Sequence, residues 1–564
     1  MGNILKASDC IKSKIVATYG PSCSSKEVME KMVDSGVTCF RLNTAHSTFD
    51  ELHSLVEFRN KIELEKNLHI SIMVDLKGPE LRALVKNDNL QMKSGGEYSL
   101  GEKGTGSEIE IGIKDVIKTL KNGDKILFMD GKIQSEVVSE GSSSCRIRAL
   151  VSMALKNNGR MNIPGKYIPM GILQPRDMEY LDISVEKDVD YLALSFVQNS
   201  SEIDMVHDLI AGKGGRCKII SKIETKQALD NLDEIIKSSD ALMVARGDLG
   251  VEMPIYEVIL SQKTIMKKSH QYGVPTIVAT QMLESMVNED TPTRAEISDI
   301  TNAILDNGDC LMLSEESAIG KFPLGAVNTL RDTSRYVEAQ NTNFSEPEEF
   351  NGSRITYSIS KSTRLLSEDV KSHYIIVLTK TGNTARMVSS VRPQNKIIAV
   401  TPDARTACQI NIYKGVFPYL LKKPVEGITI NQVLDSLLQD GIIEKGQRIV
   451  VVSGHPEHLF AGANQVSFLT VGDLVARGYV KGKGTTGIVN DSGGIYVGDY
   501  RNLGENEIGG SKFNAFILTG NVKRTILKEI EKSGKTCIYN TIILGKISPG
   551  DKLFIDCDVG AVYR

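Results

Sequence analysis

Residues 191–248 read YLALSFVQNSSEIDMVHDLIAGKGGRCKIISKIETKQALDNLDEIIKSSDALMVARGD. Three short runs rich in apolar and β-branched residues, at 191–196, 218–223 and 241–247, alternate with stretches of helical period such as TKQALDNLDEIIKSS. This alternation predicts parallel strands joined by crossover helices that cover the outside of the sheet. Runs of the same kind stand at 14–20, 38–44, 71–77, 276–280 and 310–314, with SKEVMEKMVDSG and YEVILSQKTIMKKSHQYG as further helices. Eight strands in this order predict an α/β fold, a closed (β/α)8 barrel. Segments 13–83 and 166–340 supply together close to the ~250 residues such a barrel needs.

The barrel is interrupted after its third strand. Residues 84–165 lack helical period and carry EYSLGEK, SEIEIGI, DKILFMDG and CRIRALVSM between GG, NG, DG and SGG turns. We expect a small inserted β domain, able to cap the barrel mouth and exclude water. Residues 341–353 (QNTNFSEPEEFNG) read as a linker. A second α/β unit follows at 354–471, with strands YIIVLT, KIIAVT and RIVVVSG. Residues 472–564 are Gly-rich and strand-like, with one helix (NVKRTILKEIEKSG) and closing strands DKLFIDCD and AVYR, and are expected to form an extra C-terminal domain. Gly482-Lys483-Gly484-Thr485-Thr486-Gly487 matches GxGxxG but precedes strand-like sequence, so it reads as a turn. Residues 1–12 are expected to be a solvated arm, since Lys6 breaks a myristoylation signal that opens with Gly2.

Composition narrows the function. In 564 residues, Lys+Arg 67 against Asp+Glu 70 leave a net charge of −3, which argues against nucleic acid or an anionic membrane as partner. Nine scattered cysteines without a CxxC pair indicate neither a disulfide framework nor a zinc site, and fit a reducing cytoplasm.

Residues i and i+2 of a strand share a face. Read that way, the strand ends offer Arg41 with Asn43, Asp75 with Lys77, Lys222 with Glu224, Arg246 with Asp248, and Ser314 with Glu316, while the seventh strand ends at Thr280. Active sites of barrels lie at this rim. Glu224 and Asp248, without His or Cys nearby, form a hard-oxygen pair suited to Mg2+ or Mn2+. Lysine and arginine beside them suit an anion with several oxygens, phosphate above all. A rim salt-bridge network is the competing structural reading.

KIVATYGPSC, RLNTAHS, VDLKGPELR, SKIE, MVARGDLGVE, ATQMLESM and PTRAEISDI…CLMLSEESA resemble pyruvate kinases, in the family's order, over about 13–470. The resemblance implies a glycolytic transfer of phosphate from phosphoenolpyruvate to ADP, giving pyruvate and ATP, in an allosteric homotetramer. Carried over, Arg41 and Lys222 bind the phosphoryl group and Lys222 stabilises its transition state. Glu224 and Asp248 ligate the divalent metal, amides of Gly247 and Asp248 hold the carboxylate, and Thr280 lies beside the carbon that is protonated. Asn43, His46 and Arg82 fall on the nucleotide side.

Several positions depart from the family. Its monovalent-cation ligands fall on Asn43, Ala45, Asp75 and Leu76, so that a hydroxyl is lost at Ala45, whereas Glu80 resembles potassium-requiring members; potassium dependence is left open. NNGRMNIPG keeps Arg160 but lacks the family's lysine before NLPG, and Asp130 keeps the acidic residue of its DDG turn. Thr379, Lys380, Thr381, Gly382, Asn383 and Thr384 resemble a loop that binds effector phosphate, an ordinary helix start being the alternative. The tail resembles the phosphohistidine domain of some bacterial members, yet no histidine follows His458, which leaves it a docking or assembly role. Two other readings stay open: a catalytically weak paralogue acting as a regulatory subunit, and another enolate-forming barrel enzyme.

Overall fold

The computed structural model describes residues 11–564 except 167, 169, 341–349, 424–425, 456–457, 461, 490–493, 504–507 and 509–510. Most of the expected arm and linker therefore lies outside the described residues. Eight parallel strands close into a barrel: β1 (Lys14–Thr18), β2 (Val37–Asn43), β3 (Ser71–Asp75), β4 (Tyr191–Leu194), β5 (Lys218–Ile223), β6 (Ala241–Ala245), β7 (Thr276–Ala279) and β8 (Cys310–Leu313). Closure is made by β1 on β8, with Lys14 opposite Cys310.

Alternation along each strand divides the core. In β1, Ile15 and Ala17 join the apolar layer beneath the surrounding helices, while Val16 faces inward. The inward set (Val16, Cys39, Met73, Ile220, Ile277) is continuous with Ile375, Ile397 and Val416 of the α/β domain, which therefore plugs the barrel's N-terminal end. That domain is a five-stranded sheet in the order Val416–Leu420, Lys396–Thr401, Tyr374–Leu378, Arg448–Ser453, Gln465–Thr470. Its first and last strands in that order had no clear sequence signal.

The insertion folds as a closed seven-stranded barrel, with a separate two-stranded ribbon of Asn89–Met92 and Met153–Lys156. Its first strand, Leu81–Val85, straddles residue 84 and pairs with Gly159–Asn162, setting Arg82 opposite Arg160. The C-terminal residues form a seven-stranded sheet flanked by the helix Arg524–Lys532. Gly482 sits in the left-handed region (φ 103) just before the strand Thr485–Ile488, so GxGxxG is a turn into a strand. The described cysteines are all unpaired. Among the described residues no helix is long and apolar enough to cross a membrane.

Candidate active site

Six of the eight barrel strands are shorter than the apolar runs that announce them; Val37–Asn43 and Lys218–Ile223 run their full length. Arg41 and Lys222 project from β2 and β5 themselves. Ser195, Glu224 and Thr280 stand on the first residues beyond their strands. The Arg41 guanidinium lies with Nε and Nη2 each 2.7 Å from Asp75 Oδ2, and Nη1 donates to Thr18 Oγ1 at 3.0 Å. Asp75 Oδ1 is 3.2 Å from Lys222 Nζ. The same ammonium lies 2.9 Å from Glu224 Oε1 and donates to Ser195 Oγ at 2.8 Å. Glu224 Oε2 accepts the Phe196 amide at 2.7 Å. Arg41, Asp75, Lys222 and Glu224 thus form one alternating chain of charge across the mouth.

Burial by itself would discharge Lys222, but Asp75, Glu224 and Asp248 outweigh it and hold the ammonium charged. Burial, with Asp248 adding to it, pushes the Glu224 carboxyl above the usual carboxylate range against the pull of Lys222. Glu224 Oε1 is buried with no hydrogen bond, its contact with Lys222 being an ion pair. An oxygen-only donor pair with an under-compensated buried carboxylate fits a hard dication, Mg2+ or Mn2+.

Three of the expected strand-end pairs are corrected by the structure. Residues 246–248 are helical, within Arg246–Glu252, so Arg246 and Asp248 diverge. Arg246 is buried, paired with Asp299 at 2.5 Å, and donates to the Ala279 and Thr280 carbonyls. Lys77 lies beyond β3 and turns to Glu80 at 3.3 Å. Glu316, in the helix Glu315–Ala318, is buried and accepts the Leu283 and Ser314 amides at 2.9 and 2.6 Å. These side chains position loops; they do not face the mouth's charge chain.

Thr280 and Gln281 hold φ of 65° and 56°, a strained backbone for a β-branched residue of the kind found at functional sites. Arg246, clamped to the Thr280 carbonyl, helps impose it. The strain aims Thr280 Oγ1 at the Gly247 amide, which donates to it at 2.9 Å.

The remaining expected residues flank this centre. Asn43 Oδ1 accepts the Ala45 amide at 3.2 Å, and the Leu76 carbonyl accepts Ser195 Oγ at 2.8 Å. His46 is exposed on the loop after β2. Arg82 pairs with Glu80 and donates to the Asn158 carbonyl at 3.1 Å. From the cap, Arg160 reaches Asp248 Oδ1 at 2.7 Å and Asp130 at 3.3 Å, and lies over the Phe196 ring, 5.2 Å to its centroid. Asn162 Nδ2 donates to Glu252 at 3.2 Å. In the sequence Arg160 stood out only as the basic residue kept where the family's lysine is missing; its register opposite Arg82 is what brings it to the mouth.

The loop at 379–384 opens the helix Asn383–Ser390. Thr379 Oγ1 accepts the Gly382 amide at 3.0 Å, with Gly382 at φ 82. Thr381 and Asn383 line a cavity of about 510 Å³ between the α/β domain and the barrel, together with Lys218, Lys237, Arg386 and Tyr413.

Fold and charge pattern together define a barrel phosphotransferase, which works on an oxygen-rich anion held by fixed cations. Residues 10–327 match the family model described as pyruvate kinase, barrel domain, and residues 357–467 the one described as pyruvate kinase, alpha/beta domain. A pyruvate kinase of Thermoplasma acidophilum is 41% identical over 98% of both chains, and one of Thermotoga maritima is 36% identical over 79% of this chain and 96% of its own. The crystal structure of a pyruvate kinase from Cryptosporidium parvum superposes with a TM-score of 0.75 at 31% identity, covering 82% of this chain and 96% of that one. The chain belongs to the pyruvate kinase family, and its reaction is phosphoryl transfer from phosphoenolpyruvate to ADP.

Proposed function

We propose that the chain Arg41–Asp75–Lys222–Glu224 is the catalytic centre of this reaction. The observation that carries the reading is the Lys222 ammonium, buried and held charged between two carboxylates at 2.9 and 3.2 Å. Glu224 and Asp248 would hold Mg2+ or Mn2+, which when bound neutralises charge on substrate oxygens. Arg41, fixed by Asp75 and Thr18, is pre-aimed at the phosphoryl group. In the transfer, the enol oxygen–phosphorus bond breaks and a bond forms to a terminal oxygen of ADP. Lys222 stabilises charge as it passes between the two, without having to reorganise. The enolate carbon then takes a proton on the side of Thr280, whose hydroxyl is oriented by the Gly247 amide. On the nucleotide side, Arg82 and Arg160 stand opposite each other on two cap strands, held by Glu80 and by Asp248 with Asp130, and a polyphosphate would draw both by exchanging those carboxylates for its own oxygens.

The potassium requirement is the finer question. Both Asp75 carboxylate oxygens are taken by cations, and Ala45 has no side-chain oxygen to give, so a monovalent ion would rely on Asn43 and backbone carbonyls. Cations and hydroxyls around the 510 Å³ cavity support a phosphorylated effector at 379–384. A homotetramer is supported by the exposed apolar first turns of the helix Ile255–Tyr272, where Ile255, Tyr256 and Leu260 are 81%, 75% and 66% exposed.

The test is Lys222→Met. Its loss removes the fixed charge and is expected to lower kcat by at least ~10^2–10^3-fold in a lactate-dehydrogenase-coupled assay. The fold survives, because Asp75 keeps Arg41 and Glu224 can take a proton. Near-normal turnover would defeat the assignment.

A further inference from the structure

On the opposite side of the barrel from the active site, three side chains of different chemistry meet where the α/β domain is docked. The helix Phe49–Lys66 ends in left-handed Asn67 (φ 52), which turns the chain so that His69 lies against the helix's last turns just before β3. Cys408 comes from the helix Ala404–Gln409 of the α/β domain. Its Sγ lies 2.8 Å from Glu63 Oε1, and His69 Nδ1 lies 3.6 Å from the same oxygen. Among the described residues, Glu63, His69 and Cys408 form a group whose potential ligand atoms all lie within 4.8 Å of one another. The His69 side chain is 2% exposed, yet neither ring nitrogen has a hydrogen-bond partner. A buried imidazole left this way is costly, and it signals a missing neighbour.

We propose that Glu63, His69 and Cys408 are the ligands of a zinc-class ion that joins the barrel to the α/β domain. Thiolate, imidazole and carboxylate are a zinc donor set, too soft for magnesium. An ion bound at ~2.0–2.3 Å holds its ligand atoms roughly 3.5 Å apart; the His69–Glu63 separation of 3.6 Å already matches, while Cys408 Sγ, now 2.8 Å from Glu63, must move back by roughly 0.7 Å. The Glu63 side chain is 24% exposed, which leaves a fourth position open to water. The backbone is already set for it: Asn411 Nδ2 donates to the His69 carbonyl, and Ser71 Oγ to the Cys408 carbonyl, each at 2.6 Å across the domain boundary. The nearby guanidiniums of Arg59 and Arg405 are both paired with Asp190, so they do not oppose the ion with free charge. Burial, with Asp190 and Glu63, keeps the Cys408 thiol protonated; binding exchanges that proton for the metal and releases it to solvent. Thr406, two residues before Cys408, donates to the Lys380 carbonyl at 2.9 Å, so the ion also stiffens the support of the 379–384 loop.

The experiment is a Co2+ titration of the full-length chain, stripped with a chelator and held in excess Mg2+. The expected result is a stoichiometric near-ultraviolet thiolate-to-cobalt charge-transfer band that Zn2+ displaces. The oxygen-only catalytic site cannot give such a band, so the signal is independent of the active-site reading. Cys408→Ser loses the band, and His69→Gln weakens cobalt binding at least ~10-fold with basal activity unchanged. Zn2+ raises the melting temperature of the native chain, leaves Cys408→Ser where it was and raises His69→Gln by less. No band in the native protein, a band that persists in Cys408→Ser, or unaltered affinity in His69→Gln would overturn the proposal. Should Cys408→Ser not fold, the His69→Gln affinity decides.

Discussion

Lys222 and His270 show how differently the same burial acts on two cationic side chains. Lys222 meets carboxylates and stays charged. His270, pressed against Arg392 Nη2 at 2.9 Å with Lys414 nearby, is driven by burial, then by Arg392, down to about 3, against the opposing pull of Asp309 and the Asn307 carbonyl. An unfolded imidazole titrates near ~6.5. Between these values the unfolded chain binds a proton that the folded chain refuses. The stability present above ~6.5 is therefore lost as pH falls, at up to ~1.4 kcal/mol per pH unit. His270→Gln is expected to flatten the dependence of unfolding free energy on pH by about one proton between ~6.5 and 4, as measured by denaturant titration across that range. At Ala45 the missing hydroxyl predicts a weak potassium response. Ala45→Ser should increase the activation seen on adding K+ to a sodium- and potassium-free assay, whereas an unchanged response would place the cation elsewhere. Arg41, Asp75, Lys222 and Glu224 were all legible from two-residue periodicity, because they lie on strands or one residue beyond them. Arg246, Glu316 and Lys77 were misread by the same rule, since the chain has already left strand geometry where they stand.

Strands β6 and β8 end against helical turns, Arg246–Glu252 and Glu315–Ala318, that apolar patterning cannot distinguish from a continued strand. Gly247 and Gly250 disfavour both states, and the helix preference of Glu315, Glu316 and Ala318 spans one turn only, so the decision falls to contacts such as Arg246 with Asp299. In the cap, the pairing of Leu81–Val85 with Gly159–Asn162 is equally invisible locally, for the two segments lie far apart in the chain. That register decides what Arg160 can do. Arg160→Gln is expected to raise KM for ADP about 10-fold, the worth of roughly one charge-assisted bond, with a smaller change in kcat. Because the cap also loses its bond to Asp248, its amides should exchange hydrogen faster, which mass spectrometry can localise. An unchanged KM with unchanged exchange would remove Arg160 from both roles.

At the scale of the molecule, the C-terminal sheet is attached through Arg448, whose guanidinium reaches Asp556 at 3.0 and 3.2 Å and also pairs with Asp558. Asp556 is fully buried, and Thr470 Oγ1 and the Asp558 amide are its other donors. Arg448→Met leaves that carboxylate under-compensated at a cost of about 2 kcal/mol, below the range for a fully buried pair because the guanidinium is partly exposed. The expected outcome is an earlier thermal transition of the tail and faster proteolysis near residue 472; a melting curve identical to the native one would count against it. By itself, the sequence determined the barrel, its interruption and most of the charge chain across its mouth, because period-2 and helical patterns and residues close to strand ends are local properties of the chain. Only the tertiary structure decided which rim residues turn inward, that Arg82 and Arg160 oppose each other, and that Glu63, His69 and Cys408 converge. Those facts depend on registers and domain contacts between residues hundreds of positions apart, and no local pattern encodes the distance between them.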